Sequence, residues 1–134
     1  MVMRISKHFT LEEMCHTSQP FDNTPNTQQV INLCFGVHNI LEPLRNLLEK
    51  PIIINSGFRS KKVNEAVGGV SNSQHLQGLA ADIRVCPADI PRVFYILKAL
   101  KHCDQVLGGR SFVHISWKVE GSPRQDYKQN YYNY

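Results

Sequence analysis

Apolar residues recur at three- and four-residue steps through Val30, Leu33, Cys34, Val37, Ile40, Leu41, Leu44, Leu47 and Leu48, so this stretch reads as a helix with one apolar face. Thr24-Pro25 marks its start, because proline is tolerated in a first helical turn. Pro43 lies inside the stripe and lacks an N–H, so the helix is expected to bend there. A shorter helix comes before it. Thr10 is a good N-cap, Glu13 completes a capping box, and Phe9 and Met14 stand at the hydrophobic-staple positions, with an end near Cys15 or His16.

Further along, Ile52-Ile53-Ile54-Asn55 reads as a short buried strand that turns at Ser56-Gly57. Ser60 caps a helix running to Val67, which Gly68-Gly69 terminates. A loop over residues 70–77 leads into Leu79–Val85, which reads as a strand. Asp89 is placed to cap a helix with Ile90, Val93, Phe94, Leu97 and Leu100 on one face, and Pro91 fits its first turn. Two strands follow, about Asp104–Leu107 and Ser111–Trp117, with Gly108-Gly109 as a tight hairpin. Helices precede and interrupt a small, mostly antiparallel sheet, which predicts the α+β class. Residues 121–134 form a polar, tyrosine-rich tail expected to dock loosely or to fray.

The chain has 134 residues, which suits one domain over 1–134 with one core. No apolar run approaches the ~20 residues that a membrane-crossing helix needs. The first eight residues lack the apolar stretch of a secretory signal, so synthesis in a cytoplasm is expected. The net charge of +4 is spread along the chain without a lysine–arginine block, and no aromatic–basic stripe marks a strand. A nucleic-acid partner is therefore not expected. Cys15, Cys34, Cys86 and Cys103 form no Cys-x-x-Cys pair, which argues against structural zinc on thiolates. Cys34 and Cys86 sit in apolar contexts and read as small buried hydrophobes.

The chemistry concentrates around Ser73-Gln74-His75-Leu76-Gln77-Gly78-Leu79-Ala80-Ala81-Asp82, followed later by Val113-His114-Ile115-Ser116. His75, Asp82 and His114 supply two imidazoles and a carboxylate, a three-ligand set for catalytic Zn2+ with a fourth position left for water. Gly78 allows a sharp turn after His75, and alternation puts Ala80 and Asp82 on one side of their strand. The same alternation puts Phe112, His114 and Ser116 on one face, where Ser116 is expected to support His114. Arg59 follows a strand and a glycine turn, where its planar fork suits a substrate carboxylate or carbonyl. Ser73 and Gln74 flank the first ligand, as substrate contacts or as braces of the loop.

Together these segments resemble the zinc D-Ala-D-Ala carboxypeptidase family, which includes phage L-alanyl-D-glutamate endopeptidases and shares a fold with the hedgehog signalling domain. The resemblance runs from His8-Phe9-Thr10-Leu11-Glu12-Glu13-Met14 through Ile54-Asn55-Ser56-Gly57-Phe58-Arg59-Ser60 and Asn64-Glu65-Ala66-Val67-Gly68-Gly69 to Phe112-Val113-His114-Ile115-Ser116. It implies Zn2+ on His75, Asp82 and His114, Arg59 beside the substrate, and a peptidoglycan stem peptide as partner of a monomeric protein of the phage or prophage type. Such a protein would reach the wall after lysis or by separate export. Many relatives carry Glu, Asp or His shortly before the last ligand, whereas Gly108-Gly109-Arg110-Ser111-Phe112-Val113 offers neither a carboxylate nor an imidazole. Asp104 is then the first candidate for the general base and His16 the second. The alternative is a zinc-stabilised binding or structural module of the same fold that does not catalyse.

Overall fold

A computed structural model describes residues 2–134. The chain folds as α+β, with five helices and a five-stranded mixed sheet among the described residues. Helix α1 (Leu11–Met14) has the expected capping box, Thr10 accepting from the Glu13 backbone and Glu13 accepting from the Thr10 backbone. Phe9 and Met14 are both buried at its ends.

Helix α2 (Thr27–Gly36) starts later than Thr24-Pro25 suggests. Asn26 and Gln29 form a second reciprocal capping box and satisfy the first free N–H groups, while the Thr24 hydroxyl donates instead to Asp22. At Pro43 the helix widens rather than simply bending. Val37–Leu41 form a π turn, in which the Glu42 N–H reaches the Val37 carbonyl, and helix α3 (Glu42–Leu48) continues from it. The wider turn absorbs the hydrogen bond that proline cannot donate.

Strands β1 (Ile53–Ser56), β2 (Ala80–Arg84), β3 (Gln105–Gly108), β4 (Phe112–Ser116) and β5 (Asp126–Lys128) lie in the order β1-β2-β4-β3-β5. Three pairings are antiparallel and one, β3 with β5, is parallel. β1 is an edge strand and is not buried as a whole: Ile52 packs inward just before it, but Ile53 is 48% exposed. The tail does not fray. It returns to the sheet as β5, bonded along β3.

Helix α4 (Lys61–Ala66) is capped by Ser60 as expected. Helix α5 (Ile90–Leu100) is not capped by the Asp89 side chain, which pairs with Lys50 instead; a 3-10 turn over Pro87–Asp89 leads into the helix. Cys86 is exposed and Cys34 half-buried, while Cys103 is fully buried.

One sheet face and the helices share a core. Ala81, Ile83, Val106, Val113 and Ile115 alternate onto that face and pack with Leu33, Val37, Leu41, Leu44, Val93, Phe94 and Leu97. Trp117 closes the core against α2, its indole N–H donating to the Asn32 carbonyl at 2.9 Å. The opposite face of β2, β3 and β4 carries Ala80, Asp82, Leu107, Phe112 and His114. Apolar packing on one side thus fixes which residues look into the cleft on the other.

Candidate metal centre

His75 lies in a 3-10 turn over Gln74–Gln77, between α4 and β2. The Ser73 hydroxyl caps this turn by accepting from the His75 N–H at 3.2 Å. Gly78 ends it with a φ of +72°, in the left-handed region that glycine enters freely. A Cβ there would also stand 2.6 Å from the Gln29 carbonyl oxygen, so α2 and the loop meet backbone to backbone. Two amides of α2 hold the loop in place: Gln29 donates to the Leu76 carbonyl at 3.1 Å and Asn32 to the Gln77 carbonyl at 2.8 Å.

His75 is 2% exposed. Its Nδ1 is 2.6 Å from the Gly57 carbonyl oxygen. A carbonyl only accepts, so Nδ1 carries the proton and Nε2 presents its lone pair. That Nε2 is 3.4 Å from Asp82 Oδ2. On the other side, His114 Nδ1 lies 2.8 Å from Asp82 Oδ1. The two imidazole rings stand 5.2 Å apart, tilted by 54°.

One ligand atom from each of the three residues lies within 4.8 Å of the others. Atoms so grouped can share one ion about 2.0–2.2 Å from each, with two nitrogens and an oxygen of the type zinc takes. Burial by itself would raise the Asp82 pKa. With the two rings protonated, hydrogen bonds from His114 and His75 and their charge reverse that and hold the carboxyl well below its usual range. The carboxylate is therefore in the form a cation needs.

Arg59 secures Asp82 from behind. Its Nη2 donates to Asp82 Oδ2 at 3.1 Å, its Nε to Ser56 Oγ at 2.9 Å and its Nη1 to Asn64 Oδ1 at 3.3 Å. A bulge in β1 between Ile54 and Ser56 puts Ser56, rather than Asn55, opposite Asp82. Three of the five guanidinium N–H groups are thus used, and Arg59 still lines the cleft.

The cleft has a volume of about 500 Å³. Besides the three ligand candidates it is lined by Arg59, Ser73, Gln74, Gln105 and Arg124, by residues of the loop after α4, and by Leu107, Phe112, Tyr132 and Tyr134. Gln74 is a brace as well, its amide donating to Asp104 Oδ2 at 3.3 Å and to the Trp117 carbonyl at 3.2 Å. Ser116 does not reach His114. It is fully buried, and its hydroxyl serves the Gln105 backbone.

The two candidate bases lie away from the cleft lining. Asp104 is 1% exposed and accepts from Arg124 three times, at 2.8 Å from the backbone N–H and at 3.1 and 2.9 Å from the guanidinium. Burial opposes its charge, but these bonds and the charges of Arg124 and Lys118 hold its pKa below the ordinary carboxylate value. It is engaged in an ion pair behind Gln74. His16 is exposed beyond the end of α1. Among the residues lining the cleft, no carboxylate or imidazole stands besides the three ligand candidates.

Several functional positions escape the sequence. Gln29 and Asn32 look like ordinary helix polars, although Asn32 beside Leu33 at the edge of the apolar stripe is a signal of a buried amide. Ser56, Arg124, Tyr132 and Tyr134 reach the site only through tertiary folding.

A 44-residue segment of the chain is 50% identical to the zinc D-Ala-D-Ala carboxypeptidase of Streptomyces albus G; it makes up 32% of this chain and 17% of that enzyme, so the chain matches much less than two thirds of this relative. Residues 7–116, which run from before α1 to the end of β4 and include the whole His-Asp-His group, match the family model for Peptidase M15, and the chain therefore belongs to the Peptidase M15 family, with Zn2+ the metal indicated for that group.

Proposed function

We propose that the protein is a zinc-dependent peptidase that hydrolyses D-amino-acid-containing peptides of bacterial peptidoglycan, as a carboxypeptidase or an endopeptidase, in the manner of phage or prophage wall enzymes. The observation that carries this reading is the convergence of His75 Nε2, Asp82 and His114 in an open cleft, in a chain of the Peptidase M15 family. The carboxypeptidase name of the similar protein supports the substrate class.

His75, Asp82 and His114 would hold the ion. Bound zinc supplies a Lewis acid that polarises a peptide carbonyl and acidifies water. The chain's own residues position the rest. Gly57 keeps His75 in the tautomer that offers Nε2 to the cleft. Arg59 holds Asp82 in its orientation, and its two remaining N–H groups are available to a substrate carboxylate or carbonyl. Ser73 and Gln74 keep the turn that carries His75 rigid, so the ligands need little rearrangement to bind.

A second reading is favoured by one observation, the lining without a spare carboxylate or imidazole. On that reading the domain binds wall peptide through zinc and does not cut it. Digestion of purified sacculi with and without added zinc, with products identified by mass, separates the two. Zinc-dependent release of peptides or D-amino acids supports hydrolysis. Sacculi left intact at every zinc concentration would leave only the binding module.

A further inference from the structure

The family match stops at Ser116, yet the segment beyond it completes the cleft. This segment is anchored at three places. Arg124 covers Asp104 with its backbone and its guanidinium. β5 pairs along β3, and Gln105 Nε2 donates to Asp126 Oδ2 at 2.9 Å. Farther on, the Tyr132 N–H donates to the Gly108 carbonyl and the Arg110 N–H to the Tyr134 carbonyl, each at 3.0 Å.

Gly108 and Gly109 make that last contact possible. A Cβ on Gly108 would lie 2.2 Å from the Gln129 carbonyl oxygen, and one on Gly109 would lie 2.5 Å from the Tyr134 oxygen. Neither residue has a positive φ, so their role is close backbone approach and not turn geometry. The hairpin itself closes at Arg110-Ser111, where the Gly109 N–H meets the Phe112 carbonyl.

The docked tail sets two tyrosines against Phe112. Ring centroids are 5.1 Å apart for Phe112 and Tyr132, and 5.6 Å apart both for Phe112 and Tyr134 and for the two tyrosines. All three rings line the cleft that holds His75, Asp82 and His114. Tyr134 is 73% exposed, so one of the rings offers much uncovered surface. Val67 and Val70 line the same cleft and are also exposed. The charged groups and amides, by contrast, are largely committed to one another: Arg59 to Asp82, Arg124 to Asp104, Gln74 to Asp104 and Trp117. Beside these polar groups the cleft offers exposed aromatic and apolar surface.

We propose that Phe112, Tyr132 and Tyr134 form a specificity wall that binds a C–H-rich face of the substrate beside the scissile bond. This deepens the peptidase reading and rests on it. Flat rings gain dispersion and edge contacts from such a face without asking for a charge. In peptidoglycan the face comes from one of two sources, a saturated sugar ring or an alkyl side chain of the stem peptide.

The test uses zinc-loaded protein carrying Tyr132→Ala with Tyr134→Ala, and a second protein carrying Tyr132→Phe with Tyr134→Phe. Zinc content and thermal midpoint are measured on each. The alanine pair is expected to raise KM about tenfold or more, the scale of two aromatic contacts, with kcat little changed. It should also sediment less with purified sacculi. The phenylalanine pair keeps the ring faces and should match wild type in both. A KM rise on muropeptide alone assigns the sugar, and a rise on free stem peptide as well assigns the alkyl side chain. Unchanged KM and sedimentation in the alanine pair would overturn the wall, as would an equal loss in the phenylalanine pair. Should the alanine pair fail to fold, Tyr134→Ala alone carries the comparison, since that ring is the more exposed. Sedimentation needs no turnover. A wild type that binds sacculi without cutting them ends the peptidase reading and still scores the wall on binding, whereas one that does neither overturns both.

Discussion

His114 and Asp82 are direct partners across β4 and β2, and their side chains meet with Nδ1 2.8 Å from Oδ1. Antiparallel neighbours on one face have their Cβ atoms about 4.5–5.5 Å apart, so the register alone brings imidazole and carboxylate to a common point. His75 is the outside member, delivered by a loop that α2 braces. Two ligand candidates on paired strands and one on a braced turn make a centre whose shape is set before any ion arrives.

Zinc content tests that proposed ligand set. Purified protein should carry about one zinc, and His75→Ala, Asp82→Ala and His114→Ala should each lose most of it, because three protein ligands leave no redundancy. Metal analysis after dialysis reads the result. Full zinc occupancy in His114→Ala would show that the ligand set is wrong.

Arg59→Lys keeps a positive charge and loses the fork that joins Ser56, Asn64 and Asp82. Removing such a support to a ligand typically weakens metal affinity about 10–100-fold. Competition with a chelator should show a loss in that range, and kcat/KM on a wall peptide should fall with it. Wild-type affinity and wild-type rate in this variant would reduce Arg59 to a bystander.

Asp104 gives the pH prediction. Its folded pKa lies below the ordinary carboxylate value, with burial opposed and outweighed by the bonds from Arg124. The ion pair's stabilisation is therefore fully present above the unfolded pKa of about 3.9 and is lost as pH falls through the lower folded value. Asp104→Asn should lower stability at neutral pH by about 1–2 kcal/mol, at the modest end because Arg124 is half exposed. It should also flatten the acid limb of the stability curve while zinc content stays near that of wild type. Denaturant titrations from neutral to acid pH make the comparison. If the variant kept stability and zinc but lost turnover a hundredfold, Asp104 would be acting in proton transfer after all.

Gly78→Ala tests the hinge of the His75 loop. An alanine at a φ of +72° is strained, and its Cβ would press on the Gln29 carbonyl oxygen. The expected destabilisation is about 1–3 kcal/mol from the backbone alone, with a further loss in zinc affinity as the turn shifts. A thermal midpoint equal to wild type would mean that the loop relaxes freely and does not set the site.

Local signals in the sequence determined a good part of this protein. Thr10 with Glu13 and Ser60 with Val63 cap their helices as their spacing suggests, because a cap involves only residues three apart. Strand alternation put Asp82 and His114 on the face opposite Ala81 and Ile115, since the period of two is a property of the backbone itself. Where two local signals competed, the nearer cap prevailed, and Asn26-x-x-Gln29 started the helix three residues after Thr24. Tertiary structure alone decided the rest. The Asp82–His114 register joins residues 32 apart, the Arg124–Asp104 pair joins residues 20 apart, and neither spacing has any local geometric consequence. The same holds for the tail. Its polar, tyrosine-rich composition reads as docking loosely or fraying, but unpaired β3 backbone groups and two glycines without side chains give it an edge to pair with, and pairing carries Tyr132 and Tyr134 into the cleft.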